Sequence, residues 1–481
     1  MKLLRHTSYN FLGLGLPLVV ALFTIPVLLR ELGDARFGLL TLIWAVTSYF
    51  GLFELGLGRA LTQQLAMALA NKDDQRVGPL VGTATVLLAL LGVGAGVLMA
   101  AAAAWGVGLI QDVPNRQEAT NAVIAMALAM PCIVLTPAFC GILEARQAFG
   151  TVNLIRFPMG LFTFLGPLVV VLCTGSPRLD LIACVLVAGR VTACAAYAFC
   201  AWRVLPGDGG GVRWSGDVLK PLCISGGWMT VSNIVSPFMG YVDRFAIGAI
   251  VSASAVAYYS TPQEMVTKLW FVPGALTAVL FPTFAALMAR RDEQAWALVK
   301  QAVRWLFLAL LPVTVAITLF AHELLAFWIS PEFANQSAVL LQIFAVGIFI
   351  NCLAHVPFTL IQSAGASRLT ALAHLAELPI FLAGLWWLTS SYGPVGAAIA
   401  WLARMLIDAV LMFVLCSPLL NRSAKGLLKL QILGWGLVAA AGFAGALIQP
   451  IGMRALWVAL LGGVSVFALA ASRQASPLRS A

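Results

Sequence analysis

Six basic residues, Arg59, Arg156, Arg190, Arg244, Lys268 and Arg404, fall within or at the edges of otherwise apolar stretches, set against Glu54, Asp243, Glu264, Glu377 and Asp408. In hydrocarbon such a side chain costs roughly 2.5–3.5 kcal/mol on insertion scales, so it faces a protein interior or a wet cavity. Two kinds of chemistry are then open. The planar fork of arginine grips phosphate oxygens bidentately, so several arginines in one cleft would suit a phosphate-bearing cargo. A carboxylate in the same setting can carry a coupling ion, and Asp243, Glu264 and Glu54 are the candidates for that role. The plainer alternative is mutual neutralisation.

Spacing sorts these residues. Glu264 and Lys268 lie four apart with the acid first, the favoured order for an intrahelical pair, and Arg404 and Asp408 have the same spacing reversed. Asp243 and Arg244 are adjacent, point about 100° apart on a helix, and cannot satisfy each other along one face. Arg156 and Arg190 have no acid within a turn, which leaves them a cavity-lining or a cross-helix role. The stretch Gly51-Leu-Phe-Glu54-Leu-Gly56-Leu-Gly58-Arg59, followed by Thr62-Gln63-Gln64, reads as the cytoplasmic mouth of a first lobe, with Arg59 free to snorkel to the interface.

Catalytic constellations are missing. His355 and His374 look isolated in apolar spans, and no His-Glu-x-x-His motif, carboxylate cluster or nucleophile with a base at a known spacing suggests a metal or covalent catalysis. Gly92-Val-Gly94-Ala-Gly96 lacks a Walker lysine and is expected to permit close helix packing. The nine cysteines form no Cys-x-x-Cys pair and read as small buried hydrophobes. No cofactor is therefore expected and the chain is not read as an enzyme.

The elements that must position these residues are membrane spans. The hydrophobic fraction is 61%, charged residues make up 10%, and the mean hydropathy is +0.96, values that exclude an ordinary soluble domain. About 20 apolar residues cross a bilayer as a helix. Fourteen such spans are expected, at 10–30, 38–58, 80–110, 120–143, 152–173, 180–202, 221–251, 256–287, 302–322, 336–363, 370–390, 394–416, 431–448 and 455–471. The basic N-terminus leads into a segment long enough to span, with no small-residue cleavage site, so span one is expected to be retained. With both termini in the cytoplasm, eighteen loop Lys and Arg lie on that side and five on the other, a positive-inside pattern expected of a multi-pass inner-membrane protein. The net charge of +10 thus reflects topology and anionic lipid, not nucleic acid.

The spans also repeat. Pro17 and Pro237 are 220 residues apart and Pro158 and Pro379 are 221 apart, while spans six and twelve each hold one arginine, Arg190 and Arg404. Two six-helix lobes are expected, residues 1–217 and 218–417, around a central cleft, with two additional spans and a tail in 418–481. Those last two spans carry no internal charge and read as a lipid-facing addition or a docking surface. Prolines at 26, 131, 137, 158, 167, 237, 273, 282, 312, 357 and 379 lie inside spans, as static kinks or as hinges for rocking of the lobes.

Five strings carry a family likeness: Asn10-Phe-Leu-Gly; Leu29-Arg30-Glu-Leu-Gly33-Asp-Ala-Arg-Phe37-Gly38; Phe53-Glu54-Leu-Gly56-Leu-Gly58-Arg59-Ala; Glu144-Ala-Arg146-Gln-Ala-Phe149-Gly with Asn153; and Tyr241-Val-Asp243-Arg244-Phe. Together they resemble the polysaccharide transport family, which contains the Wzx-type O-antigen flippases of the multidrug/oligosaccharidyl-lipid/polysaccharide exporter superfamily. The likeness covers roughly the first 420 residues. It implies two six-helix bundles, often with extra C-terminal helices, that export a polyprenyl-diphosphate-linked oligosaccharide to the periplasmic leaflet by alternating access. Its partners would be that lipid-linked oligosaccharide, the bilayer, and a polysaccharide polymerase and glycosyltransferases. Lacking a nucleotide site, such transport would draw on an ion gradient or on downstream polymerisation. The alternative is a multidrug or metabolite cation antiporter of the related extrusion family, which would want a deep acid without this excess of intramembrane arginine. A membrane polymerase, ligase or glycosyltransferase would need a long extramembrane loop or paired carboxylates. The cargo site is accordingly expected at Arg190, Arg244 and Arg404, with Arg156, Lys268 and Arg59 in support.

Overall fold

In a computed structural model the chain is all-α. The structure describes residues 2–50, 57–71, 73–175, 178–205, 213–218, 227–289, 294–420, 430–445, 448 and 450–474. The helices are α1 (Lys2–Phe50), α2 (Leu57–Ala70), α3 (Asp74–Leu109), α4 (Arg116–Ala145), α5 (Phe149–Thr174), α6 (Leu179–Val204), α7 (Gly227–Ile250) and α8 (Ala253–Thr267). After a 3-10 turn at Lys268–Trp270 come α9 (Phe271–Ala289), α10 (Gln294–Leu319), α11 (Ala321–Trp328), α12 (Pro331–Ser363), α13 (Ser367–Leu419), α14 (Leu430–Ala444) and α15 (Ile451–Gln474).

The described parts of the fourteen expected spans are helical, but span 256–287 is divided by the 3-10 turn into α8 and α9, span 302–322 runs from α10 into α11, and parts of spans 38–58 and 221–251 lie outside the described residues. Among the described residues nine helices are long and apolar enough to cross a membrane, and one of them, Ser367–Leu419, contains two arms. The divider is Gly393, at φ 58° and ψ −140°, a region open almost only to glycine. Pro394 then opens the second arm, where its fixed φ suits a helix start. The arms fold tightly enough that a Cβ on Gly396 would collide with the Leu388 carbonyl oxygen. Gly33 (φ 73°, ψ 164°) divides α1 between spans one and two in the same way. Two short helices, α2 and α11, were not anticipated. At 14 and 8 residues they are too short to span, and hydropathy is blind to them.

The chain condenses into two compact units, residues 1–257 and 258–481. In the first, α3 and α4 meet backbone to backbone. A Cβ on Gly92 would lie 2.7 Å from Pro131 Cα, and one on Gly96 2.7 Å from the Ala127 carbonyl oxygen, so these glycines serve close packing. One end of this unit is held by Glu118, which is 8% exposed. Its carboxylate takes Arg36 of α1 in a fork at 3.3 and 3.4 Å and accepts the Leu179 N–H at the start of α6 at 2.7 Å. Asn115 caps α4 by accepting the Glu118 N–H at 3.1 Å. Three helices thus converge on one carboxylate.

In the second unit α12 begins at Ser330, whose hydroxyl accepts the Phe333 N–H at 3.2 Å, with Pro331 in the first turn. Gly347 of α12 lets the Trp401 ring of α13 lie against the backbone. The two C-terminal helices pack on α10. Arg454, at the start of α15, donates to the carbonyls of Ile448 at 2.7 Å and Leu319 at 3.1 Å and to Glu323 at 3.0 Å. Trp457 donates to the Gly442 carbonyl at 3.1 Å. The rest of α15 bears exposed Leu456, Leu460, Val464 and Phe467, as a lipid-facing surface requires.

Candidate functional site

A set of buried ionisable side chains in the second unit is centred on the hairpin α13. Helical spacing puts His374 and Glu377 on one face of the first arm and Arg404 and Asp408 on one face of the second. Closure at Gly393 brings the arms together, with the Arg404 guanidinium 5.6 Å over the Phe381 ring. His374, Glu377, Arg404 and Asp408 are all buried, Glu377 at 3% exposure. His374 Nε2 lies 3.5 Å from Asp408 Oδ1, with its ring stacked on Phe358. Neither Glu377 oxygen has a hydrogen-bond partner among the described residues, although the charges of Asp408 and Arg404 both act on it.

A chain of donors reaches this cluster from α12 and the 3-10 turn. Trp270 Nε1 donates to Asn351 Oδ1 at 2.8 Å, and Asn351 Nδ2 donates to Asp408 Oδ2 at 3.2 Å. Indole is a donor only, so the Asn351 oxygen must face Trp270 and its amide nitrogen must face the carboxylate. His355 Nδ1 lies 3.0 Å from the Asn351 carbonyl oxygen and therefore carries the proton on that nitrogen.

In the first unit Asp243 and Arg244 of α7 are both buried, at 0% and 4% exposure. Asp243 Oδ1 accepts the Arg244 backbone N–H at 2.8 Å, and the guanidinium lies 5.4 Å from the Tyr241 ring centroid. Arg190 on α6 is half-buried, and among the described residues no acid pairs with it. Gly189 beside it packs on the Phe162 ring.

Two other anticipated cations already have an acid beside them. Arg156 lies 3.6 Å from Glu144 of α4 and is half-exposed. Lys268 lies 3.6 Å from Glu264, the intrahelical pair that the spacing predicts. Arg59 lies on α2, and Glu54 falls outside the described residues. The spacing of Arg404 and Asp408 is also realised on one face, but the closest partners of Asp408 are Asn351 and His374. His374 and Asn351 carry no sequence signal for this role, because their partner is 34 and 57 residues away. Among the described residues no group of three or more His, Cys, Asp or Glu could hold a metal ion.

A family profile described as polysaccharide biosynthesis protein matches residues 27–338. A Shigella flexneri protein that carries the provisional name O-antigen transporter is 30% identical over 417 residues, covering 86% of this chain and 97% of that protein. Among solved structures, an inward-facing multidrug resistance MATE family transporter of the MOP superfamily superposes with a TM-score of 0.73 at 14% identity, covering 85% of this chain and 98% of that one. A MOP superfamily transporter from Pyrococcus furiosus, reported with a reversed polarity of its binding pocket, gives 0.63 at 14% identity, covering 87% and 95%. At such identity the structural likeness carries the fold alone.

Proposed function

We propose, from the premise that this chain belongs to the polysaccharide biosynthesis protein family, that it flips a polyprenyl-diphosphate-linked oligosaccharide from the cytoplasmic to the periplasmic leaflet. The observation that carries this reading is the near full-length relationship to the Shigella flexneri protein that carries the provisional name O-antigen transporter. The chain is a multi-pass membrane protein. The positive-inside count supports an inner-membrane location with both termini in the cytoplasm.

A diphosphate headgroup requires cations whose charge is still available. Arg156 and Lys268 are engaged by Glu144 and Glu264, and Arg404 lies among carboxylates. Arg190 is the strongest candidate for phosphate, because it is half-buried in a span without an ion pair among the described residues. Arg244, buried beside Asp243, is the second. Cargo movement follows alternating access, and polymerase and glycosyltransferases act on either side of this step.

The test is loss of the chain in its host, followed by assay of the lipid-linked glycan. The oligosaccharide should accumulate on the cytoplasmic leaflet while mature surface glycan falls. Normal surface glycan would overturn the reading, and new drug sensitivity with intact glycan would replace it by multidrug antiport.

A further inference from the structure

Counted by themselves, the four ionisable side chains of the α13 cluster do not balance in charge. Glu377 and Asp408 are two carboxylates, Arg404 is one fixed guanidinium, and His374 is neutral unless protonated. With both acids ionised the set carries one excess negative charge at a buried position. Burying a carboxylate without hydrogen-bond donors is among the most expensive arrangements available to a protein. Glu377 is in that position, with both oxygens buried and without a hydrogen-bond partner among the described residues. A single monovalent positive charge brings the sum to zero.

That charge is either a metal cation or a proton. A metal cation is held by several oxygen ligands at once, about six or more for Ca²⁺ and Mg²⁺. Here no group of three or more acidic, His or Cys side chains that could hold one is found among the described residues. Asp408 is also committed on one oxygen to Asn351 and faces His374 with the other. A proton needs only one lone pair.

We infer that Glu377 and Asp408 together hold one exchangeable proton inside the C-terminal unit, with Arg404 as its fixed counter-charge and His374 as its relay. On uptake, one carboxylate oxygen gains an O–H bond and the cluster goes from one net negative charge to none. On release, the proton leaves by the same oxygen and the deficit returns. Among the described residues, the charged and titratable groups turned toward the pair are His374 on the first arm, Arg404 on the second arm and His355 on α12. The Asn351 amide ties Asp408 to Trp270, so a change in charge at Asp408 pulls on the 3-10 turn between α8 and α9. The site stands on the geometry alone. Its use to drive transport rests on the flippase reading.

The experiment uses the full-length protein in nanodiscs, titrated between acid and alkaline pH in potassium buffer. Infrared difference spectra should contain one protonated-carboxyl carbonyl band that disappears as pH rises, and tryptophan emission should shift with the same midpoint. Both changes should be lost in Glu377→Gln and altered in Asp408→Asn, and both should persist in Glu264→Gln. If Glu377→Gln does not fold, Glu377→Asp should keep the band and move its midpoint. A band that survives unchanged in Glu377→Gln or Glu377→Asp overturns the proposal. So does a step that appears only with added sodium and is competed by it, which would make this a metal-cation site. Flipping of lipid-linked glycan is scored separately. Wild-type protein that shows the proton step without flipping fails the flippase reading and leaves the proton site standing, whereas flipping without the step does the reverse.

Discussion

Glu118 offers the sharpest quantitative test of how the first unit is held together. Replacing it by Ala removes the Arg36 fork at 3.3 and 3.4 Å and the short bond from the Leu179 N–H at 2.7 Å. The fork is long and Arg36 is 29% exposed, so that pair contributes no more than about 1 kcal/mol. The Leu179 bond is short, charge-assisted and at a helix N-terminus, and contributes about 1.5–3 kcal/mol. Leaving that N–H buried without an acceptor brings the total for Glu118→Ala to about 3–5 kcal/mol. Glu118→Gln keeps an oxygen for Leu179 and should cost about 1–2 kcal/mol. Arg36→Ala should cost about 1 kcal/mol. For a cooperative unit of this size the Ala variant then melts roughly 6–20 °C lower and the Arg36 variant roughly 2–4 °C lower. Thermal unfolding of the detergent-purified chain, read by the monodisperse fraction after heating, measures both. Equal losses for Ala and Gln, or a larger loss for Arg36→Ala than for Glu118→Ala, would refute the assignment of the main stabilisation to the Leu179 bond.

Three other outcomes rest on single contacts. Gly396→Val should abolish folded expression, because the added carbon occupies the place of the Leu388 carbonyl oxygen, whereas Gly393→Ala should cost about 1–3 kcal/mol through backbone strain; yields and melting of the two variants side by side check this. Arg454→Ala should loosen α15 from α10 and α11, seen as faster proteolysis near residue 450 and a melting loss of about 2 kcal/mol, with the transport rate changed less than stability. Arg190→Ala should lower glycan export at unchanged protein level while Arg156→Ala changes export little, since only Arg156 is held by a described acid; a stronger defect in Arg156→Ala would reverse their roles.

Hydropathy made the spans legible because a membrane helix is a one-dimensional signal, about 20 residues long, that needs no knowledge of its neighbours. The turns at Gly33 and Gly393 were visible only as gaps between spans, since a single residue at positive φ leaves no loop to read. Short amphipathic α2 and α11 gave no span signal at all. Among the candidate residues, Glu264 and Lys268 were readable because four-residue spacing is local. The partners of Asp408 were not. Asn351 and His374 meet it only when α12 and both arms of α13 are assembled, and His374 read alone is an isolated histidine in an apolar run. Arg156 is the same case, its acid lying across the α4–α5 turn at Glu144.

The one-residue reversals at Gly33 and Gly393 bear on how the topology of this chain can be mapped. Tags, fusion reporters and protease sites need a stretch of peptide that can leave the surface without pulling on a helix. At both glycines the helix resumes at once, and at Gly393 the second arm already touches the first at Leu388. A silent reporter at either place would therefore say nothing about which compartment that end faces. The α3–α4 connection is tied at Gln111, whose backbone exchanges hydrogen bonds with Gly248 and Ala253, and at Asn115, which caps α4, so an inserted epitope belongs between them, at Asp112 to Pro114. Accessibility mapping of this chain should start there.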